Sequence, residues 1–174
     1  MYKFFVFPLI IITITACSSS KYTISTDQKG KIMLIGKLTY EEWQKDAGWA
    51  SYSADNYEPE YSLTVILKQI VKEKNITFKL FSGSWCEDSE SEVPKIFKLL
   101  NESKISLDKI DLYGVDREKK ESTGEAEKYK IERVPTLLIL KGDNEVGRII
   151  EYPDKSWEED ILTMISEEIQ KLKE

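Results

Sequence analysis

The sequence lacks histidine altogether and has only two cysteines, Cys17 and Cys86, among its 174 residues. The absence of histidine excludes Ser/His and Cys/His catalytic pairs, imidazole ligands for zinc or iron, and an imidazole-based pH switch. Two cysteines are too few for a Cys₄ zinc site or an iron–sulfur cluster within one chain. We therefore expect no metal and no cofactor, and the available reactive groups are carboxylates, Lys, Tyr, Ser and one or two thiols.

Acidic residues outnumber basic ones, 31 against 25, and the formal charge is −6. Such a surface repels the phosphates of nucleic acids and anionic lipid headgroups, so we expect no nucleic-acid binding. The hydrophobic fraction of 41% and the chain length are typical of one soluble globular domain with a short appendage.

Residues 1–16 (MYKFFVFPLIIITITA) are typical of a secretory signal peptide. Lys3 supplies the positive charge, and the apolar run over 4–14 is too short for a membrane-spanning helix. The sequence Ile14-Thr15-Ala16-Cys17 resembles the lipobox of bacterial lipoproteins, which implies cleavage before Cys17 and lipid attachment to its sulfur. The alternative is an ordinary signal peptide that happens to be cleaved near a cysteine.

The polar, non-periodic stretch that follows predicts a flexible, lipid-anchored tether over residues 17–30 and a folded domain over 31–174. The lipoprotein resemblance implies a location in the bacterial cell envelope. With Ser18 after the cysteine, it implies the outer membrane facing the periplasm if the organism has two membranes. Acylation of Cys17 would leave Cys86 as the only thiol available for chemistry.

Hydrophobic periodicity and capping signals predict the elements of the domain. The first half contains a strand over 32–38, a helix begun by a capping box at Thr39 and Glu42, a loop over 48–56 and a helix from Pro59 to about 74. That last helix is expected to bury Leu63, Ile66, Leu67, Ile70 and Val71.

The second half predicts a strand over 76–81 and a helix after Cys86 that buries Val93, Ile96, Phe97 and Leu100. A strand over 107–115, a short helix capped by Thr123, a strand over 136–140, a hairpin turn at 142–144 and a strand over 145–152 follow. A helix over 156–172, capped by Ser156, is expected to bury Trp157, Ile161, Met164, Ile165 and Ile169. This order predicts a mixed sheet with helices on both faces.

Cys86 stands where a predicted strand ends and a predicted helix begins. Free amide N–H groups and the positive end of the helix dipole favour an anion such as a thiolate at that position. The thiolate is the nucleophile of disulfide exchange, so the placement suits a reactive cysteine. The alternative is a buried structural cysteine.

The segment Trp85-Cys86-Glu87-Asp88-Ser89, which follows the strand over 78–81, resembles the Trp-Cys-x-x-Cys motif of the thioredoxin family, with Ser89 in place of the second cysteine. Pro94 stands where that family has a helix-kinking proline, and YKIERVPTLL over 129–138 resembles the segment that carries its cis-proline. The resemblance covers about 58–172. It implies a three-layer α/β sandwich with a mixed central sheet, helices on both faces and an N-terminal helical extension.

The resemblance also assigns the site. Cys86 would be the nucleophile, Trp85 would shape the rim, and a cis bond before Pro135 would place the backbone of Val134 beside the sulfur. The alternative for Pro135 is an ordinary trans proline at the start of a strand.

Departures from the family limit the chemistry. Ser89 cannot resolve a mixed disulfide, and its hydroxyl either bonds the thiolate or is simply a polar group in the first helical turn. Leu80 replaces the family's buried acid. Glu87 and Asp88 add negative charge beside the thiol, although surface acids also suit a helix N-terminus.

These features predict a monothiol thioredoxin-like protein that engages disulfides or mixed disulfides of envelope proteins through Cys86. It would need an external thiol, such as a small-molecule thiol, for release. The alternative is a redox-inert binding module with the same fold. A peroxidase is disfavoured because no Thr-x-x-Cys sequence precedes Cys86. We expect a monomer that is held at the membrane through the lipid on Cys17.

Overall fold

The computed structural model describes residues 22–49 and 54–171. The predicted signal peptide over 1–16, the lipid attachment at Cys17 and part of the 48–56 loop lie outside the described residues. The first half of the chain contains β1 (Tyr22–Thr26), β2 (Ile32–Leu38), α1 (Tyr40–Asp46), α2 (Tyr61–Lys74) and β3 (Ile76–Ser82). The second half contains α3 (Glu87–Glu102), β4 (Ile110–Gly114), α4 (Glu125–Lys128), β5 (Thr136–Lys141), β6 (Asn144–Ile150) and α5 (Trp157–Lys171).

The strands form one six-stranded sheet in the order β1-β2-β4-β3-β5-β6. β3 and β4 are parallel and are joined through α3, whereas all other neighbouring strands are antiparallel. Because parallel strands need a crossover connection, α3 returns the chain across the sheet, and the β5–β6 hairpin and α5 complete the domain. The fold is the mixed, thioredoxin-like α/β sandwich that the sequence predicts.

The two faces of the sheet are covered unequally. The larger hydrophobic cluster joins the sheet to α1, α2, α3 and α5, with fully buried side chains that include Trp43, Leu67, Leu80, Leu99 and Trp157. The opposite face carries a smaller cluster, covered by α4 and its flanking segments, that contains Phe81, Tyr113, Val115, Ala126, Tyr129, Ile131, Val134, Leu138 and Leu140. Helices therefore lie on both faces, but one face has a single short helix.

A half-buried lysine holds α4 against the sheet. Lys79 Nζ lies 2.5 Å from Glu125 Oε2 and stands over the rings of Tyr113 and Tyr129, at 5.2 and 5.7 Å from the ring centroids. Desolvation lowers the pKa of Lys79, but the hydrogen bond to Glu125 and the charge of Tyr113 outweigh it and raise that pKa. The contact anchors the segment that leads from α4 to Val134.

The prediction of a flexible tether over residues 17–30 is wrong from Tyr22 onward. Residues Tyr22–Thr26 are an edge strand rather than part of a flexible tether, and they pair with β2 from Tyr22 opposite Gly36 to Thr26 opposite Ile32. The extension before the core therefore contains the predicted strand β2 and helix α1, and β1 is added to them as a hairpin. β1 is mostly exposed, so its composition is polar and its strand pattern is weak.

The buried face of α2 also differs from the prediction. The helix buries Thr64, Leu67 and Val71, whereas Ile66 is 50% exposed. Thr64 is accommodated because its hydroxyl donates to the carbonyl oxygen of Tyr61 at 2.8 Å. Positions 64, 67 and 71 form one stripe at helical spacing, so the orientation of the helix on the sheet decides which apolar residues are buried.

Other boundaries shift by small amounts. Residues Leu107–Lys109 form a 3₁₀ turn before β4, and α4 begins after Gly124, whose φ is +76°, rather than at a Thr123 cap. β6 ends at Ile150 instead of 152. The capping box at Thr39 is confirmed, as are the Ser156 cap and the buried face of α3. In α5, Met164 and Ile169 are only partly buried.

The α2 surface provides a matched pair of variants. Leu67→Ala should lower the free energy of unfolding by about 2–5 kcal/mol, because Leu67 is fully buried and its truncation leaves a cavity. Ile66→Ala should change it by about 0.5 kcal/mol or less, because half of Ile66 is already in water. Urea unfolding of both variants measures the difference, and equal losses would contradict this orientation of α2.

Candidate active site at Cys86

Cys86 is the residue immediately before α3, with extended backbone angles of φ −104° and ψ 127°. Its N–H donates to the carbonyl oxygen of Gly83 at 2.9 Å, and its own carbonyl oxygen accepts from the N–H of Glu90 at 3.0 Å. The thiol is free and half-buried. The sulfur is therefore fixed at the N-terminus of a 16-residue helix, as the sequence predicts.

The sulfur faces the loop before β5. The Cys86 thiol donates to the carbonyl oxygen of Val134 with an Sγ–O distance of 3.5 Å, and the Val134–Pro135 peptide bond is cis. Thr136 Oγ1 donates to the carbonyl oxygen of Arg133 at 2.7 Å. The N–H of Glu151 donates to the carbonyl oxygen of Pro135, also at 2.7 Å. The predicted meeting of Cys86 with Val134 and Pro135 is confirmed, and these two bonds hold the loop in place.

Trp85 forms one wall of the site. Its Nε1–H donates to the carbonyl oxygen of Val115 at 2.9 Å, and its ring is half-buried against the smaller cluster. The ring lies so close to Gly83 that a Cβ there would stand 2.7 Å from Cε2 of Trp85. Sequence reasoning missed this role of Gly83. Its position two residues before Trp85 is the one local feature that could have indicated a close contact with the indole.

Ser84 ties the Cys86 loop to β2. Its Oγ accepts from the N–H of Leu34 at 2.9 Å and donates to the carbonyl oxygen of Ile32 at 2.8 Å. The indole N–H of Trp49 donates to the carbonyl oxygen of Ser84 at 2.7 Å. No signal in the sequence pairs Ser84 with β2, because 50 residues separate Ser84 from Leu34.

Ser89 is fully buried, and its hydroxyl oxygen accepts from the N–H of Gly83 at 3.2 Å. Of the two roles open to it from the sequence, the structure favours a polar group in the first turn of α3, which here braces the Cys86 loop. Leu80 is also fully buried and belongs to the larger hydrophobic cluster. The position six residues before Cys86 is thus part of an apolar core.

Acidic groups lie on the α3 side of the sulfur. Glu87 is exposed and Asp88 is half-buried in the first turn of α3. The charge of Asp88 raises the pKa of the Tyr152 phenol, and burial, Glu151 and Cys86 raise it further. Tyr152 is therefore within electrostatic reach of Asp88 and Cys86, which sequence reasoning missed. Tyr152 comes two residues after the end of β6, and no other local feature of the sequence indicates its position.

Two basic residues lie on the Trp85 side. The guanidinium carbon of Arg117 is 4.5 Å from the centroid of the Trp85 ring, and Lys119 Nζ is 5.9 Å from it. Sequence reasoning missed both residues, since they belong to the highly charged stretch after β4. The Cys86 site thus has an aromatic and cationic wall on one side and an acidic side formed by α3.

Across residues 22–49 and 54–171 there is no cluster of three or more Cys, Asp or Glu side chains that could hold a metal ion. Within the same ranges no helix is long and apolar enough to span a membrane.

Comparison with known proteins adds little about function. No protein-family model matches the chain, and no curated protein matches it. A crystal structure of a protein of unknown function from Pseudomonas aeruginosa is similar over 67% of this chain and 67% of its own, at 16% identity and a TM-score of 0.37.

Gly83 offers a test of the Trp85 wall. Gly83→Ala should lower the free energy of unfolding by about 1–3 kcal/mol, because the added methyl group displaces the indole from a packed position. In a Trp85→Ala background, Gly83→Ala should leave the free energy of unfolding almost unchanged. Thermal or urea unfolding of the four proteins measures this coupling, and an undiminished cost without the indole would contradict the packing described.

Proposed function

We propose that the protein is a monothiol member of the thioredoxin-like family that engages disulfides or mixed disulfides of cell-envelope proteins through Cys86. The observation that carries this proposal is a free, half-buried thiol at the start of α3, 3.5 Å from the carbonyl oxygen of Val134. A thiol in this position is near helix amide groups, which favour a thiolate, and is itself partly accessible to a partner.

The exchange step follows from thiol chemistry. The Cys86 thiolate attacks one sulfur of a partner disulfide, a new S–S bond forms to Cys86, and the other partner sulfur leaves as a thiolate that takes a proton from water. The number of disulfide bonds is unchanged. A small-molecule thiol or a second partner cysteine then attacks the mixed disulfide and regenerates Cys86, because Ser89 has no sulfur with which to do so.

The surroundings of the sulfur support a polypeptide partner. We propose that an extended segment docks beside Cys86 and the Val134–Pro135 loop, with the half-buried Trp85 indole as one border and the exposed Tyr152 ring nearby. Trp and Tyr suit such borders because they offer a large apolar area together with a polar group. We propose that the protein acts as a monomer.

The first test is covalent capture. Incubation with a peptide disulfide should add the mass of one peptide strand to the wild-type protein, in a form that dithiothreitol reverses. Cys86→Ser should give no adduct, and Ser89→Ala should still give one, because Ser89 contributes no sulfur. A wild-type thiol that forms no adduct would contradict the exchange function and leave a redox-inert binding module as the better account.

Release is tested with Ser89→Cys in the same assay. A second thiol at this position should attack the mixed disulfide, so the peptide should leave without added thiol and an intramolecular disulfide should accumulate. Wild-type protein should hold its adduct until an external thiol is added. Spontaneous release by wild-type protein would overturn the monothiol assignment.

We also propose that the chain is a lipoprotein of the bacterial cell envelope, anchored through Cys17. Only four residues separate Cys17 from Tyr22, where β1 begins, so the domain would lie within about 18 Å of the modified sulfur at ~3.6 Å per residue. A domain held so close to the membrane would meet partners that are themselves at that surface.

Anchoring is tested by expressing the full chain in a bacterial host. The wild-type chain should incorporate labelled palmitate and fractionate with membranes, whereas Cys17→Ser should do neither. Cys86→Ser is the matched control, because it removes the other cysteine and should leave labelling unchanged. Palmitate incorporation by Cys17→Ser would contradict the lipid attachment.

A further inference from the structure

The N-terminal hairpin extends past the end of the sheet that carries Cys86. β2 pairs with β4 only from Gly36 opposite Gly114 to Leu38 opposite Leu112. The preceding residues of β2, 32–35, lie beyond Gly114 and pair within the sheet only with β1. The turn between β1 and β2 therefore lies beyond the C-terminal end of β4, on the side of the Cys86 loop.

Asp27 in this turn has all of its hydrogen-bonding capacity engaged. Its carboxylate accepts from the N–H groups of Lys29 and Lys31, each at 2.8 Å, and from Arg117 Nε at 2.8 Å and Arg117 Nη2. Desolvation raises the pKa of Asp27, but the hydrogen bonds from Lys31, Arg117 and Lys29 outweigh it and hold that pKa below its ordinary value. The bonds fix the orientation of the guanidinium plane, which a lysine in place of Arg117 would not reproduce.

The guanidinium connects the hairpin to the wall of the site. Its carbon lies 4.5 Å from the centroid of the Trp85 ring, a cation–π distance. The N–H of that same indole donates to Val115, two residues before Arg117. Ser84 adds a second link, because its hydroxyl bonds Ile32 and Leu34 of β2. The hairpin thus holds both residues that directly precede Cys86.

We propose that Asp27 and Arg117 are positioning residues of the Cys86 site, which fix the Trp85 indole in the place where a disulfide-bearing peptide docks. This inference rests on the proposed function for its kinetic consequence. Neither side chain reacts. Asp27 orients Arg117, Arg117 orients Trp85, and the indole supplies the contact with the partner, so the effect is on binding rather than on sulfur chemistry.

The kinetic test uses turnover of a self-quenched fluorescent peptide disulfide with excess glutathione as the resolving thiol. Arg117→Met and Asp27→Asn should each raise KM by about twofold to fivefold, the range that corresponds to an exposed cation–π contact, with kcat unchanged. Arg117→Lys should not restore KM, because it keeps the charge but loses the planar fork. In a Trp85→Leu background, Arg117→Met should add nothing.

Arg148→Met is the matched control. Arg148 also bonds one carboxylate through two nitrogens, since Nε and Nη2 each lie 2.6 Å from an oxygen of Glu145, but it belongs to β6 and does not contact Trp85. Its removal should leave KM unchanged. Equal KM values for wild type, Arg117→Met and Asp27→Asn, or an undiminished effect of Arg117→Met without the indole, would overturn the proposal.

A spectroscopic measurement tests the positioning without any turnover. In protein labelled with 5-fluorotryptophan, the ¹⁹F resonance that Trp85→Leu removes should shift or broaden in Arg117→Met and Asp27→Asn but not in Arg148→Met. An unchanged Trp85 resonance would overturn the positioning role even if Cys86 is active. A shifted resonance in a protein without Cys86-dependent turnover would support the positioning of Trp85 and contradict the exchange function instead.

Discussion

Antiparallel pairing of β3 with β5, in the register that sets Phe81 opposite Thr136, places the residues after β3 beside the residues before β5. That register brings the Cys86 thiol to the carbonyl oxygen of Val134, although 48 residues separate the two along the chain. A shift of one residue would turn the side chains of β5 to the opposite face, so that Leu137 and Ile139 would exchange clusters with Leu138 and Leu140 and both cores would have to repack. The geometry of the site therefore depends on the apolar packing of the central strands.

Hydrogen bonds from several elements then hold the loop that carries the thiol. Ser89 accepts from Gly83, Ser84 bonds the backbone of β2, and Trp85 donates to Val115. The Ser89 hydroxyl is thus engaged in supporting the loop, and Leu80 is buried in the core nearby. The loop therefore carries one sulfur, and under the proposed function exchange would end at a mixed disulfide unless another thiol arrives.

The N-terminal hairpin adds a charged contact to the Trp85 side of the site. Its turn contributes Asp27, which contacts Arg117 over the Trp85 ring, while Asp88 lies in the first turn of α3 after the sulfur. The strand added at the edge of the sheet is therefore connected to the candidate active site through an ion pair and an aromatic contact. The wall formed by Trp85 contacts Gly83 and the segment after β4, and it is linked to Asp27 in the hairpin through Arg117.

The sequence by itself determined the features that arise from local patterns. The capping box at Thr39, the buried strands β3 and β5, the helix that begins after Cys86 and the Val134–Pro135 segment all have signals within a few residues, and the structure has each of them. Tertiary structure alone decided that Tyr22–Thr26 pairs as a strand, that Ile66 is exposed and that Asp27 meets Arg117 across 90 residues. These outcomes depend on sheet register and on the orientation of a helix against the sheet, which are set by contacts distant in sequence and leave no local pattern to read.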